Sequence, residues 1–193
     1  MKILNWKLLQ SEYLFREPWL TVRKDTCETP SGVLVPSYYV LEYPDWVNAM
    51  AMTDDGKVLL VRQYRHAIGK VLLEIPGGVI DAEDASPEVA MRRELLEETG
   101  YAFNEMHFLG VISPNPSTNT NLTHMYLATG GKKVQEQQLD FNEEIEVEAV
   151  TVAELETRLK NNEFLQALHA SCLFYGLMKW KELQATPVVH LPR

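Results

Sequence analysis

The 193 residues carry a formal net charge of −9, and 46% of them are hydrophobic. This length and composition predict a soluble globular protein and exclude an intrinsically disordered chain. The acidic balance argues against nucleic acid as a partner, because non-specific binding to a phosphate backbone depends on Lys and Arg. No apolar run approaches the ~20 residues of a membrane span, so we expect a cytoplasmic protein with no membrane partner.

The first 44 residues predict an N-terminal section of antiparallel strands. Residues 19–23 and 33–41 are rich in β-forming side chains, and Pro30-Ser31-Gly32 forms a turn between them. A second group of strands, at residues 47–52 and 57–65, flanks the turn at Asp54-Asp55-Gly56 and is expected to pair across it.

The rest of the chain alternates between helical and strand patterns. An apolar run at 71–75 ends at Pro76-Gly77-Gly78, and Ser86-Pro87 opens a helix that stops at Gly100. Further strands are expected at 106–112, 122–128 and 145–150, and helices at 152–160 and 163–183. This order predicts an α+β fold, an α/β/α sandwich with a mixed sheet flanked by helices. We expect an N-terminal β section at 1–44, a main domain at 45–186 and a tail at 187–193.

Three glutamates on the first helix indicate a metal site. Glu94, Glu97 and Glu98 stand at i, i+3 and i+4, which places their carboxylates on one helix face. Like charges at this spacing repel unless a hard cation such as Mg²⁺ or Mn²⁺ lies between them. Gly77 and Gly78 permit close backbone approach and a positive φ, so this loop can present a carbonyl to the ion. The alternative is a solvated acidic face in which Arg93 pairs with Glu97.

The segment from Gly78 to Tyr101 resembles the Nudix box of the Nudix hydrolases. The match is residue by residue from Arg93 to Tyr101, whereas Ala85 stands where the family has a glutamate, and Gly78 lies one residue too far from Arg93. A one-residue loop insertion, with Glu83 or Asp84 as the substitute carboxylate, accounts for the difference.

The resemblance implies a Nudix fold and assigns roles to the residues of the box. It makes Glu94, Glu97 and Glu98 ligands of Mg²⁺ or Mn²⁺, with the Gly77 carbonyl as a further ligand. It also implies that Arg93 orients these ligands, and Glu97 and Arg93 count among the catalytic residues.

Further motifs are similar to the ADP-ribose pyrophosphatase and nucleoside diphosphate sugar hydrolase branch of this family. These are residues 61–65 followed by 73–78, and residues 113–117, in which Pro116 lies sixteen residues after Gly100. The branch implies a homodimer that hydrolyses the diphosphate of a nucleotide sugar, ADP-ribose first, giving AMP and ribose 5-phosphate. The alternatives are GDP-mannose or another sugar nucleotide, a nucleoside triphosphate pyrophosphatase, and a non-catalytic ligand sensor.

Other site residues are expected outside the box. The acidic run at 140–147 resembles the loop that supplies the branch's general base or an extra metal ligand, with Glu144 the first choice and Glu143 the second. A solvated acidic turn is the alternative.

Arg62 and Arg65 are candidates for the substrate phosphates, with two solvent-facing arginines as the alternative. Strand alternation places only one side of this strand at any site. Trp46 is a candidate for stacking on the nucleobase, with core packing as the alternative. Pro116 is a candidate for contact with the substrate, with an ordinary Pro-rich turn as the alternative.

Overall fold

The computed structural model describes residues 4–185, so the tail expected at 187–193 lies outside the described residues. The strands are β1 (Lys7–Glu17), β2 (Leu20–Glu28), β3 (Leu34–Glu42), β4 (Trp46–Thr53), β5 (Lys57–Arg65), β6 (Lys70–Glu74), β7 (Gly77–Val79), β8 (Tyr101–Ala102), β9 (Glu105–Ile112), β10 (Thr123–Lys133) and β11 (Ile145–Thr151). The helices are α1 (Pro87–Thr99), α2 (Val152–Lys160) and α3 (Ala167–Ala185). Within this part of the chain, no helix is both long enough and apolar enough to cross a bilayer.

The chain divides into two compact units, and the first contains residues up to Asp45 together with residues 113–122. Its three strands form an antiparallel sheet in the order β1-β2-β3. The 113–122 segment is held against β3, because the Tyr38 hydroxyl donates to the Ser117 carbonyl at 2.6 Å and the Leu41 amide to the Thr118 carbonyl at 2.7 Å. Every residue of β1 is exposed.

The second unit contains residues 46–112 and, of the described chain, residues 123–185. Its eight-stranded sheet follows the path β11-β5-β4-β10-β8, with β6 paired to β5, β7 to β4 and β9 to β10. The β4–β10 pair is parallel and the other pairs are antiparallel, so the sheet is mixed. The mixed sheet flanked by helices that the sequence predicts is confirmed.

The central strand β4 is buried on both faces because helices cover both sides of the sheet. Val47, Ala49 and Ala51 belong to the core cluster that contains Met91 and Leu95 of α1. The alternate residues Met50 and Met52 belong to the opposite cluster, with Leu155 of α2 and with Cys172, Leu173 and Leu177 of α3. This period-two alternation separates the layer that carries α1 from the layer that carries α2 and α3.

The start of α3 differs from the prediction. A helix was expected from residue 163, but the chain first makes a turn in which Asn162 has φ 58° and the Glu163 amide donates to the Arg158 carbonyl. The Gln166 carbonyl then accepts the amides of His169 and Ala170, which opens α3 at Ala167. The structure therefore places the start of α3 four residues after the predicted one, beyond the turn that ends α2.

Candidate active site

The helix that carries the glutamates is bounded by local signals. The Ser86 hydroxyl accepts the Val89 amide at 3.3 Å, Pro87 occupies the first helical position, and Gly100 ends the helix with φ 74°. Ala90, Met91 and Leu95 are buried against the sheet. One face of α1 is therefore fixed in the core, which holds the neighbouring glutamates at the edge of that core.

The three carboxylates of α1 differ in burial. The Glu98 residue is 5% exposed and the Glu94 side chain 13%, whereas the Glu97 side chain is 40% exposed. Burial raises the pKa of Glu94 to about 7, and burial together with the Glu94 charge raises the pKa of Glu98 well above its ordinary value. Two buried carboxylates side by side are costly without a nearby positive charge.

The glycine segment of β7 lies against these carboxylates. The Gly77 amide donates to Glu98 Oε2 at 3.0 Å, and a Cβ atom on Gly78 would overlap the Glu94 carboxylate. A Cβ on Gly77 would instead meet the β4 backbone, with Asn48 Cα at 2.9 Å. A positive φ was also expected here, but both residues lie outside the set of glycines with positive φ. Glycine is required at both positions because neighbouring atoms lie too close to leave room for a side chain.

Arg93 holds the loop before α1 through Asp84. Its Nη2 donates to Asp84 Oδ2 at 2.9 Å and to the Val79 carbonyl at 3.0 Å, and its Nε donates to Asp84 Oδ1 at 3.3 Å. The Arg93 guanidinium lowers the pKa of Asp84, and the Asp84 side chain is only 7% exposed. Of the residues at 83–85, Asp84 is therefore the one that binds Arg93, while Glu83 and Ala85 are exposed.

The same guanidinium contacts the helix glutamates. Arg93 Nη1 donates to Glu94 Oε1 at 2.9 Å and to Glu97 Oε2 at 3.0 Å. Within residues 4–185, no group of three His, Cys, Asp or Glu side chains stands close enough to hold an ion in this arrangement. The donors still fit a hard divalent cation, because the buried Glu98 and the partly buried Glu94 meet the β7 backbone, which leaves no room for a side chain at Gly78.

The acidic loop before β11 contributes to the field at this site. The negative charge of Glu143 adds to the rise in the pKa of Glu94 and of Glu98. It also contributes to the raised pKa of Arg65. The Glu143 carboxylate accepts the Asp140 amide at 3.2 Å within its own turn. Glu144, the first choice from the sequence, is exposed. These contacts support Glu143 over Glu144 as the carboxylate that serves the site.

The two arginines of β5 make different contacts. Arg65 forms a two-point ion pair with Glu74, through Nε to Oε1 at 3.0 Å and Nη2 to Oε2 at 2.6 Å. Arg62 lies 3.5 Å from Glu148, which also binds Arg158. Their role as phosphate ligands stays a prediction.

Trp46 and Pro116 belong to different units. Trp46 opens β4 and lies in register with Val79 of β7 and Thr123 of β10, whereas Pro116 is exposed in the 113–122 segment of the first unit. Their contacts with substrate also stay predictions.

Two buried side chains near the site were missed by the sequence reasoning. Glu74 is 1% exposed and lies 3.7 Å from His169, whose Nδ1 accepts the Ile75 amide at 3.3 Å. The signal for Glu74 was a charged residue inside the apolar run at 71–75, since such a residue needs a buried partner. His169 had no comparable signal, because its partners come from distant strands.

Comparison with known proteins identifies the family. The NUDIX domain profile matches residues 43–169, about two thirds of the chain. The chain belongs to the Nudix family. A second profile, the nucleoside diphosphate sugar hydrolase N-terminal domain, matches residues 6–41.

Relatives of this Nudix hydrolase align along nearly its whole length. It is 28% identical to the ADP-ribose pyrophosphatase of Bacillus subtilis (strain 168), over 96% of this chain and 99% of that protein. It is 30% identical to the methanol dehydrogenase activator of Bacillus methanolicus, over 79% and 82% of the two chains. A solved structure described as an ADP compounds hydrolase superposes with a TM-score of 0.83 at 25% identity, covering 96% of this chain and 99% of that one. The expected Nudix fold and the expected hydrolase class are confirmed.

Proposed function

We propose that this Nudix hydrolase cleaves the diphosphate of a nucleoside diphosphate sugar, with ADP-ribose as the first candidate and AMP and ribose 5-phosphate as its products. The names of the relatives that cover almost the whole chain support this substrate class. The match of residues 6–41 to a nucleoside diphosphate sugar hydrolase domain supports it independently. The observation that carries the proposal is the meeting of buried Glu94 and Glu98 with the Gly77-Gly78 backbone.

The activity is proposed to depend on Mg²⁺ or Mn²⁺. Glu94, Glu97, Glu98 and the Gly77 carbonyl would hold the ion, and Arg93 would orient the glutamates. Such an ion, when bound, neutralises the charge of the diphosphate and makes water a better nucleophile. Because Arg93 contacts Glu94 and Glu97, these carboxylates would exchange an arginine contact for the ion.

The protein's own groups would then direct the hydrolysis. Glu143 would accept a proton from the attacking water, whose oxygen forms a bond to one phosphorus while the bridging P–O bond breaks. The Gly77 amide holds the Glu98 carboxylate in place, so this ligand is oriented before substrate arrives. The ordered Glu98 supports a catalytic protein over the ligand-sensor alternative.

The metal assignment is tested with Glu98→Gln and the matched variant Glu88→Gln. Glu88 lies on the same helix but pairs with Arg92 at the surface, with its side chain 47% exposed. Purified proteins would be assayed with ADP-ribose, GDP-mannose, UDP-glucose and dATP in the presence of Mg²⁺ or Mn²⁺. We expect Glu98→Gln to lower kcat by more than about 100-fold. Mutation of a residue that only hydrogen-bonds to a metal ligand already lowers metal affinity or activity by about 10- to 100-fold. Equal turnover by wild type and Glu98→Gln would refute the metal assignment.

The same assay tests the general base. We expect Glu143→Gln to lower kcat by about 10²- to 10⁴-fold, the usual contribution of a positioned base, and Glu144→Gln to have a smaller effect. The reverse ranking would assign the base to Glu144. Absence of turnover by the wild type on every substrate would instead favour the ligand-sensor alternative.

A homodimer is also proposed, with the N-terminal section at 1–44 as its main interface. Every residue of β1 is exposed, and the exposed side chains of the first unit include Leu8, Phe15, Trp19 and Leu34. A three-stranded sheet needs a covered apolar face to be stable, which a second copy of the chain would supply.

A further inference from the structure

The segment that follows β10 covers the C-terminal end of the glutamate helix. The last carbonyls of a helix have no partner within it and need donors from elsewhere. The Gln138 amide donates to the Glu97 carbonyl at 2.9 Å, and the Gln137 side-chain Nε2 donates to the Glu98 carbonyl at 2.6 Å. The main-chain carbonyls of two proposed metal ligands are thus bound by consecutive residues of one segment.

Gln137 makes a second contact that a simple helix cap does not need. The same Nε2 atom donates to the carbonyl of Ile145 at 3.1 Å, which is the first residue of β11. Ile145 follows directly on the acidic loop that carries Glu143, and its side chain is buried. One amide nitrogen with two hydrogens therefore joins the end of α1 to the end of the loop.

These contacts close the loop at its base. Gln137 and Ile145 are eight residues apart, and the chain between them turns at Asp140, whose carbonyl accepts the Glu143 amide at 3.0 Å. Because both amide hydrogens of Gln137 are used on carbonyls, its side chain fixes the distance between the backbone of Glu98 and the stem of the loop. Glu143 is two residues before Ile145, where the loop ends.

We infer that Gln137 is a positioning residue that sets the general base, Glu143, relative to the metal ligands of α1. The inference rests on the proposed function, since it assigns Gln137 a part in the same reaction. Gln137 touches no reacting atom in this arrangement and acts through the backbone at Glu98 and Ile145. A displaced base lowers the rate because proton transfer requires hydrogen-bond contact with the attacking water.

The test is a double-mutant cycle between Gln137→Met and Glu143→Gln. Methionine keeps most of the side-chain volume and removes both hydrogen bonds. We expect Gln137→Met alone to lower kcat by about 10- to 100-fold, the scale of a displacement near 1 Å. In the Glu143→Gln background, Gln137→Met should lower kcat by less than about twofold, because the carboxylate that Gln137 positions is already lost.

Thr99→Val is the matched control. The Thr99 hydroxyl donates to the Leu95 carbonyl and accepts the Tyr101 amide, so it caps the same helix end without a contact to the loop. We expect any loss of kcat in Thr99→Val to be the same with or without Glu143. Gln137→Lys restores a donor at the position, and we expect it to recover part of the loss.

A second measurement is independent of activity. Backbone hydrogen exchange should accelerate across residues 139–145 in Gln137→Met and remain at the wild-type rate there in Thr99→Val. Unchanged exchange in the loop, or an equal loss of kcat in both Glu143 backgrounds, would overturn the inference. A wild type that turns over no nucleotide sugar would refute the proposed function instead, and the exchange result would still decide whether Gln137 holds the loop.

Discussion

The adjacent glycines of β7 are needed for different reasons. The space beside Gly78 is filled by the end of a flexible side chain, Glu94, whereas the space beside Gly77 is filled by the backbone of β4. A methyl group can displace a carboxylate by rotation, but it can displace a strand only by separating β7 from β4. The same substitution should therefore affect the site at one position and the fold at the other.

We predict that Gly78→Ala lowers kcat by about 10- to 100-fold, because the methyl group moves the Glu94 carboxylate. Its free energy of unfolding should stay within about 1 kcal/mol of the wild type, since its φ suits alanine. Gly77→Ala should cost about 1 to 3 kcal/mol of stability through overpacking. Urea unfolding and steady-state kinetics measure the two effects, and an unchanged kcat in Gly78→Ala would contradict the close approach of Glu94.

Asp84 lies one residue before Ala85, within the pair of residues where the sequence predicts a substitute carboxylate. It binds two nitrogens of Arg93 and also accepts the Asp81 amide at 2.9 Å, so it links the loop to the arginine that contacts Glu94 and Glu97. Its role as the substitute for the glutamate missing at Ala85 stays a prediction.

We predict that Asp84→Asn lowers kcat by about 10- to 100-fold, as expected for a partner of a residue that orients metal ligands. Asparagine keeps the shape of the side chain but loses the charge that holds the guanidinium. Glu83→Gln is the control, because Glu83 is exposed and precedes Asp84 directly. A larger loss in Glu83→Gln than in Asp84→Asn would assign the compensating role to Glu83.

At the scale of elements, α3 supports the strand that leads into the site. His169, near its N-terminal end, is 7% exposed and accepts the Ile75 amide, two residues before Gly77. Burial lowers the pKa of His169 to about 4, while the nearby charge of Glu74 on β6 opposes the shift and that of Arg65 on β5 adds to it. The folded protein thus keeps this imidazole neutral, as its role as hydrogen-bond acceptor requires.

This pKa predicts a loss of stability in mild acid. Between pH 6.5 and about 4 the unfolded chain binds a proton at His169 that the folded chain does not, so the free energy of unfolding falls as the pH falls. The contribution of this group is at most about 1.4 kcal/mol per pH unit. We expect His169→Gln, which retains an acceptor, to lose less stability over this range than wild type in urea titrations. The exposed His66→Gln control should follow the wild type, and equal slopes in all three proteins would refute a neutral His169.

At the scale of the whole molecule, the proposed dimer predicts a specific effect of charge on the first unit. Phe15 of β1 is 55% exposed, and a glutamate there would place a charge in the proposed apolar interface, where dimerisation would remove its hydration. We expect wild type to sediment as a dimer at micromolar concentration and Phe15→Glu to shift towards monomer. Val134→Glu, at a residue 60% exposed in the second unit, is the control. A monomeric wild type would contradict the proposal.

The sequence by itself determined the features that depend on near neighbours. Ser86, Pro87 and Gly100 bound α1 as predicted, and the spacing of Glu94, Glu97 and Glu98 places them on one face whatever packs around the helix. The hairpin at Gly56 and the extent of α2 also followed from local patterns. In contrast, the sequence did not predict β1 as a separate strand, because its exposed residues lack a simple alternation of polar and apolar side chains.

Only the tertiary structure shows which of two adjacent carboxylates is the less exposed and therefore the better candidate for the site. The choice of Asp84 over Glu83, and the support for Glu143 over Glu144, depend on which side chain faces the core, and partners distant in the chain determine that. The contact of Gln137 with Glu98 spans 39 residues, and that of His169 with Ile75 spans 94. Burial and long-range pairing arise only when separate elements pack together, so they cannot be predicted from residue spacing along the sequence.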